Sequence, residues 1–304
     1  MHTGGAHESF MHHHRADAAK FKAAGPPTLY LMSTGARFVV IGNPVAHSLS
    51  PTIHARFAKQ AGVALEYSTL LAPLDDFAGA ARRFFEGGGR GANVTLPFKI
   101  DALRFAGAAS ERARLAGAAN VLSVREGRIE ADNTDGAGLV ADLTRNFGLD
   151  LRGSRVVILG AGGAARGVIA PLLELSPAAL VIANRAPAKA RELASQFQAR
   201  GPVHASALDR IEGGPFDLVL NATSASTHGE VLELPPGMIA RNAWVYDLAY
   251  GRATKPFLDR ARAGGARVSD GLGMLVEQAA EAFHVWHGLR PDTAAVLAAL
   301  RANA

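Results

Sequence analysis

The chain of 304 residues reads as a two-domain α/β protein. An N-terminal α/β substrate domain precedes a Rossmann-type nucleotide-binding domain, with a deep cleft between them. Three observations predict this. Short buried-strand runs alternate with helical stretches of roughly 10–15 residues, the pattern of α/β units around a mostly parallel sheet. One run passes directly into Gly160-Ala161-Gly162-Gly163-Ala164-Ala165, a strand, tight turn and helix start of the dinucleotide-binding type. The length suits two domains, and an apolar content of 48% can fill their cores.

The first domain is expected over residues 36–135. Residues 38–41 (Phe-Val-Val-Ile) form a buried strand ending at Gly42-Asn43-Pro44, and Ser50-Pro51 opens a helical pattern that stops at Gly62. A strand over 67–71, a helix over 74–86 and a strand over 91–95 follow, with a further helix starting near Pro97. Residues 121–125 and 128–131 flank Glu126-Gly127, a hairpin signal. The second domain is expected over 136–270, opening with a helix over 136–147. Its strands are expected at 155–159, 180–183, 216–220 and 244–248, with helices at 164–175 and 187–199. A long amphipathic helix over 271–287 and a last one over 292–302 are expected to pack back toward the substrate domain. Residues 1–35, with His12-His13-His14 and no sustained apolar period, read as a mobile extension whose histidines could hold a metal only adventitiously.

Composition narrows the function. With no Cys, disulfides, thiolate metal sites and thiol catalysis are excluded. The net charge of +5 comes from scattered single Arg and Lys without a block of one sign, so nucleic acid is not expected as a partner. Apolar runs stop at about half the ~20 residues a bilayer requires. No charged start and apolar core precede a cleavage site, so a cytoplasmic protein without a membrane partner is expected.

Chemistry-bearing residues gather at expected strand ends. In the glycine loop, Gly160 permits the turn and Gly162 lets the backbone approach a pyrophosphate. Small Ala165 lets the helix pack closely, and the helix start offers N–H groups to the phosphates. The next strand ends Ile182-Ala183-Asn184-Arg185, with Lys189 one turn beyond. An amide and two cations suit a 2′-phosphate, where an NAD site would usually place an acid. NADP is therefore expected over NAD.

On the substrate side, Ser48 and Ser50 precede Pro51 at a helix start. Ser50 could be a plain N-cap, or the two hydroxyls could clamp a carboxylate at the positive helix end. Lys99 falls in the first turn after Pro97, where the helix dipole disfavours a cation. Such a placement suits a residue kept for proton transfer, although a solvated surface lysine is the commoner fate of any single Lys. Asp135, in Asp132-Asn133-Thr134-Asp135-Gly136, could be an N-cap, or could bind a substrate hydroxyl and orient Lys99.

Six motifs occur in this order: Asn-Pro-x-x-His-Ser-x-Ser-Pro, Gly-Ala-Asn-Val-Thr-x-Pro-x-Lys, Asp-Asn-Thr-Asp-Gly, Gly-Ala-Gly-Gly-Ala-x-Arg, Asn-Ala-Thr-Ser and Asp-Gly-x-Gly-Met-Leu-Val-x-Gln. Together, over about residues 37–290, they resemble the shikimate dehydrogenase family. The resemblance implies reduction of 3-dehydroshikimate to shikimate with NADPH, without a metal, by a monomer or homodimer acting on a small-molecule substrate. It makes Ser48 and Ser50 the carboxylate-binding hydroxyls. It places Thr95, Lys99, Asn120, Asp135 and Gln278 around the ring hydroxyls, and Tyr250 near the substrate. Lys99 matches the general acid/base and Asp135 its partner. Gly160, Ala161, Gly162, Gly163 and Ala164 match the phosphate loop, and Asn184, Arg185 and Lys189 the 2′-phosphate site. Leu248 and Gly271 match positions beside the nicotinamide, and Glu111 a cofactor-side position.

The chain departs from the family pattern in three places. Ala186 stands where Thr is usual, Val121 follows Asn120 where Thr is usual, and Thr254-Lys255-Pro256 replaces a Thr directly before the Pro. Two other functions compete with the biosynthetic one. A quinate/shikimate enzyme using NAD would have an acid near Asn184-Arg185. A non-catalytic sensor of quinate or shikimate would not need both Lys99 and Asp135.

Overall fold

The structure is a computed structural model, and it describes residues 1, 35–226 and 230–302. The expected extension and its histidines lie almost wholly outside these residues.

The first half builds a six-stranded sheet. Its elements are β1 (Ala36–Gly42), α1 (Ser50–Ala61), β2 (Leu65–Leu71), α2 (Phe77–Glu86), β3 (Gly89–Val94), α3 (Lys99–Phe105), β4 (Ala108–Ala109), α4 (Glu111–Ala116), β5 (Val121–Arg125) and β6 (Arg128–Asp132). The strand order is β2-β1-β3-β5-β6-β4. β1 lies parallel to both β2 and β3, while β5 is antiparallel to β3 and forms a hairpin with β6. The hairpin turn puts both Glu126 and Gly127 at positive φ, 49° and 75°, as a tight two-residue connection requires.

The second half contains α5 (Asp135–Ala141), β7 (Arg155–Leu159), α6 (Gly163–Glu174), β8 (Ala179–Asn184), α7 (Pro187–Phe197), β9 (Val203–Ala207), β10 (Phe216–Asn221), β11 (Ile239–Asp247), α8 (Lys255–Ala263), β12 (Arg267–Ser269), α9 (Leu272–His287) and α10 (Thr293–Arg301). Its six strands are parallel in the order β12-β11-β10-β7-β8-β9. The order reverses between β7 and β10, so their carboxyl ends open the crevice where doubly wound sheets bind ligands.

Period-two alternation explains why β7 is buried along nearly its whole length. Val156 and Ile158 pack with α6 and α7, whereas Val157 and Leu159 face Phe257, Leu258 and Ala261 of α8. In the first half, α2 and α3 cover one sheet face through Phe77, Phe84 and Ala102. A separate cluster joins Ile53 and Phe57 of α1 to Val276 and Phe283 of α9 and to Val296 and Leu300 of α10. The two last helices thus pack against α1, and α9 also packs against α5.

Some elements differ from the sequence expectation. The helix expected over 136–147 is α-helical only to Ala141 and continues as one π turn, Asp142–Asn146. That turn accommodates the buried Asp142 carboxylate, which accepts from Tyr246 Oη at 2.7 Å and from Asn146 Nδ2 at 2.8 Å. The helix expected from 74 begins only at Phe77, because the Asp76 side chain caps it by accepting from the Gly79 N–H. The elements β4, α4, β9, α8 and β12 were not anticipated. Most are short, and α8 starts at Lys255-Pro256 without an apolar run ahead of it.

Candidate active site

Four chain segments converge on Lys99. Phe98, buried beneath α3, precedes it, and the helix begins at Lys99 itself with no capping side chain. Its Nζ donates to Asp135 Oδ2 at 2.6 Å, and the two side chains are 13% and 5% exposed. Asp135 is the first residue of α5 and does not cap it, so the plain N-cap reading is set aside. Its second carboxylate oxygen accepts from Asn120 Nδ2 at 2.9 Å. The same amide nitrogen also lies 2.9 Å from Thr134 Oγ1 and from Gln278 Oε1. Two hydrogens thus serve three oxygens, and these bonds tie α9 to the β5 and α5 starts. Asn120 Oδ1 accepts from the Thr134 N–H at 2.7 Å, and Gln278 Nε2 donates to Leu275 O at 2.8 Å.

A second group surrounds the Ser48–Ser50 turn. Ser50 is buried but caps nothing, so the N-cap reading fails here too. Its N–H lies 3.3 Å from Ser48 Oγ. Its hydroxyl instead lies beside the Tyr67 phenol. Tyr67 Oη donates to Asn93 Oδ1 at 2.6 Å, His54 Nε2 lies 3.1 Å from the same oxygen, and the His54 and Tyr67 rings stack at 4.4 Å. Asn93 Nδ2 donates to Asn120 O at 3.3 Å, which fixes the orientation of its amide. Oδ1 must then accept, so His54 carries its hydrogen on Nε2. Burial holds the His54 pKa down at about 3, against a smaller upward effect of the Asn93 bond. It pushes the Tyr67 phenol up, which the Ser50 side chain opposes. Sequence reasoning assigned no role to His54, Tyr67 or Asn93. Asn93 stands inside a quoted motif, but nothing in the sequence shows that His54 and Tyr67 reach it.

Burial raises the pKa of Tyr250, in the loop after β11, and the neighbouring Leu49 backbone and Ser48 side chain oppose that rise. This residue joins the second half of the chain to the first. Thr95 follows β3, where its N–H donates to Ile41 O and its methyl group lies close to Gly42.

At the carboxyl end of β7, Gly160 has φ +111°, and a Cβ there would stand 3.0 Å from Ala222 O at the end of β10. Gly162 is the N-cap of α6 and contributes no capping side chain, and a Cβ on it would meet nothing within 4 Å. Open space above free helix-start N–H groups fits a pyrophosphate. Gly163 faces Lys99, whose Cβ would lie 3.2 Å from an added Cβ. Ala161 and Ala164 complete the loop. The loop that fits phosphates therefore packs on the stem of the buried lysine.

Asn184 closes β8 and donates to Ala186 O at 3.1 Å, and Lys189 is exposed on α7. Arg185 pairs with Glu230 at 3.8 Å, with both side chains mostly exposed. Beyond β11, Gly271 allows close passage of Leu248, since a Cβ would fall 2.3 Å from Leu248 O. Behind this loop, burial raises the pKa of Asp247, which accepts from Asn221 and Ser226 and from the Ala249 N–H. Glu111 opens α4, is exposed, and has Arg200 at 4.0 Å. No hydrogen bond or ion pair among the described residues joins it to another candidate residue. Among the described residues no group of three His, Asp or Glu could hold a metal ion, and no helix is long and apolar enough to cross a membrane.

Three family models match the chain. They describe a shikimate dehydrogenase substrate binding domain (residues 40–122), a shikimate/quinate 5-dehydrogenase (142–251) and a shikimate 5′-dehydrogenase C-terminal domain (271–301). A shikimate dehydrogenase (NADP(+)) of Dechloromonas aromatica is 54% identical over 267 residues, covering 88% of this chain and 97% of the relative. One of Laribacter hongkongensis is 50% identical over 265 residues, covering 87% and 97%. The crystal structure of a Thermus thermophilus shikimate 5-dehydrogenase in complex with NADP(H) and shikimate superposes with a TM-score of 0.77. It is 34% identical, over 87% of this chain and 98% of that one. This chain belongs to the shikimate dehydrogenase family.

Proposed function

We propose that this protein is an NADP-dependent shikimate dehydrogenase, an oxidoreductase that reversibly reduces 3-dehydroshikimate to shikimate on the way to aromatic amino acids. We place it in the cytoplasm, as a monomer or homodimer. One observation carries the reading: nearly the full length of curated relatives named shikimate dehydrogenase (NADP(+)) aligns at 50–54% identity. The site geometry supports it, with a buried lysine paired to a carboxylate beside a phosphate-type glycine loop.

When bound, the dinucleotide supplies the hydride that adds to the carbonyl carbon. Lys99 provides the proton that the carbonyl oxygen needs, and in oxidation it takes the hydroxyl proton back. Asp135 aims the ammonium and balances its charge in a setting too buried for water to do so. Asn120 and Gln278, locked by their mutual bond, present fixed polar groups to ring hydroxyls, as does Thr95. Ser48 and Ser50 hold the carboxylate at the start of α1, with Tyr250 closing over them.

Gly160, Ala161, Gly162, Gly163 and Ala164 cradle the pyrophosphate. Asn184, Arg185 and Lys189 meet the 2′-phosphate, and Leu248 and Gly271 shape the nicotinamide side. Glu111 is kept only as an outlying cofactor-side position.

The test is oxidation of shikimate and of quinate, each with NADP⁺ and NAD⁺, followed by the appearance of reduced cofactor. Activity confined to shikimate with NADP⁺ is expected. Comparable turnover of quinate, or with NAD⁺, would assign the protein to the quinate-type branch, and no turnover would leave a binding function.

A further inference from the structure

We propose that Arg210 is a second guanidinium for the 2′-phosphate of the dinucleotide and so sets the cofactor preference together with Arg185. The inference rests on the NADP reading above and adds a specificity-determining residue to it. β8 and β9 run parallel with Asn184 opposite Ala207, so Arg185 and Arg210 leave the carboxyl ends of neighbouring strands. The turn carrying Arg210 is held in place. Leu208 N–H donates to Asn184 O at 3.2 Å, Arg210 N–H to Ala207 O at 3.3 Å, and Ser206 Oγ to Arg210 O at 2.7 Å.

Both arginines line one cavity of about 650 Å³. Its apolar wall of Pro187, Leu208, Val231 and Leu232 suits a flat base. Two carboxylates, Asp209 and Glu233, also reach it, but Glu233 is engaged by Arg260 at 3.1 Å. Arg185 has its partner in Glu230, whereas among the described residues no carboxylate lies within ion-pair distance of Arg210.

The chemistry on the α7 side strengthens the case. The N-cap of α7 is Ala186, and no side chain caps this helix. A dianion placed there therefore finds no capping hydroxyl, and backbone, the Asn184 amide and cations are left to hold it. A guanidinium meets a phosphate through two parallel N–H···O bonds. Arg185 and Arg210, one from each strand end, can engage different oxygens of the same group. The surface pair between Arg185 and Glu230 is weak and can be exchanged for phosphate.

The test is ground-state binding of NADP⁺ and NAD⁺ by titration calorimetry, with the wild-type protein, Arg210→Ala and Arg210→Lys. Losing one charge-assisted phosphate contact should weaken NADP⁺ about tenfold in Arg210→Ala, with NAD⁺ changed less than about twofold. Arg210→Lys should recover part of the loss, because it keeps the charge without the fork. Equal weakening of both dinucleotides, or an unchanged NADP⁺ affinity, would overturn the role of Arg210. A wild-type protein that binds the two equally would instead overturn the NADP reading, and the role of Arg210 with it. A thermal unfolding midpoint equal to wild type in each variant ties the change to the site.

Discussion

Lys99 Nζ donates to Asp135 Oδ2 across 2.6 Å, although the residues are 36 positions apart and each opens a different helix. The positive end of a helix dipole disfavours the lysine and favours the aspartate. The pair offsets the first effect with the second, and leaves a charged donor whose stem lies against Gly163 of the glycine loop. Lys99→Ala should lower kcat about a hundred- to ten-thousandfold, the usual span for a lost general acid/base. KM for shikimate should change only a few-fold, since the proton transfer matters chiefly in the transition state. Steady-state kinetics decide this, and a large rise in KM at unchanged kcat would give Lys99 a binding role only.

Arg185→Ala should raise KM for NADPH about tenfold and leave KM for NADH nearly alone. The expectation follows from its place after β8, with only an exposed ion pair to Glu230 competing for it. Equal effects on the two cofactors would remove it from the 2′-phosphate.

Two of the three loop glycines, Gly160 and Gly162, should separate by stability. Gly160→Ala forces a side chain to φ +111° and to 3.0 Å from Ala222 O. Roughly 1–3 kcal/mol of folding stability should be lost, in addition to cofactor affinity. Gly162→Ala meets nothing within 4 Å in the protein, so unfolding should be nearly unchanged while NADP⁺ binding weakens. Denaturant unfolding beside NADP⁺ titration checks both, and a strongly destabilised Gly162→Ala would contradict the open cradle.

The buried histidine gives a pH signature. His54 has its pKa lowered from 6.5 to about 3, chiefly by burial. Below pH 6.5 the unfolded chain therefore binds a proton that the folded protein refuses. The stability associated with neutral His54 is complete above pH 6.5 and is lost as pH falls toward 3. The limiting slope is roughly 1.4 kcal/mol per pH unit. His54→Gln keeps a donor near Asn93 but cannot titrate. Urea unfolding of the two proteins should thus give a difference that is flat above pH 6.5 and shifts steadily in favour of the variant below it. Parallel profiles down to pH 4 would mean that His54 does not resist protonation.

Much of the frame was legible because it rests on local rules. β7 is found at the residues expected, since four consecutive apolar residues followed by a Gly-rich turn admit little else. The Glu126-Gly127 hairpin and the stop of α1 at Gly62 likewise follow from backbone preferences of single residues. What escaped was either too short to carry a period, as with β4 and β12, or shaped by a distant partner. The π turn at Asp142 belongs to the second kind, since it accompanies a bond to Tyr246, 104 positions away.

The site divides along the same line. By itself the sequence singled out the residues to which the proposed function gives its chemistry: the glycine loop, the basic end of β8, the serine pair, Lys99 and Asp135. It left Ser50 and Asp135 between capping and function, because both kinds of bond begin from the same position at a helix start. Only the tertiary structure set capping aside, by placing Ser50 beside Tyr67 and Asp135 against Lys99 and Asn120. The structure alone also brought His54, Tyr67 and Asn93 together behind the site, and set Arg210 beside Arg185 on one cavity. The physical reason is that period and propensity act within a few residues. A side-chain hydrogen bond between distant residues depends instead on strand order, register and helix packing, which exist only once both sheets have formed.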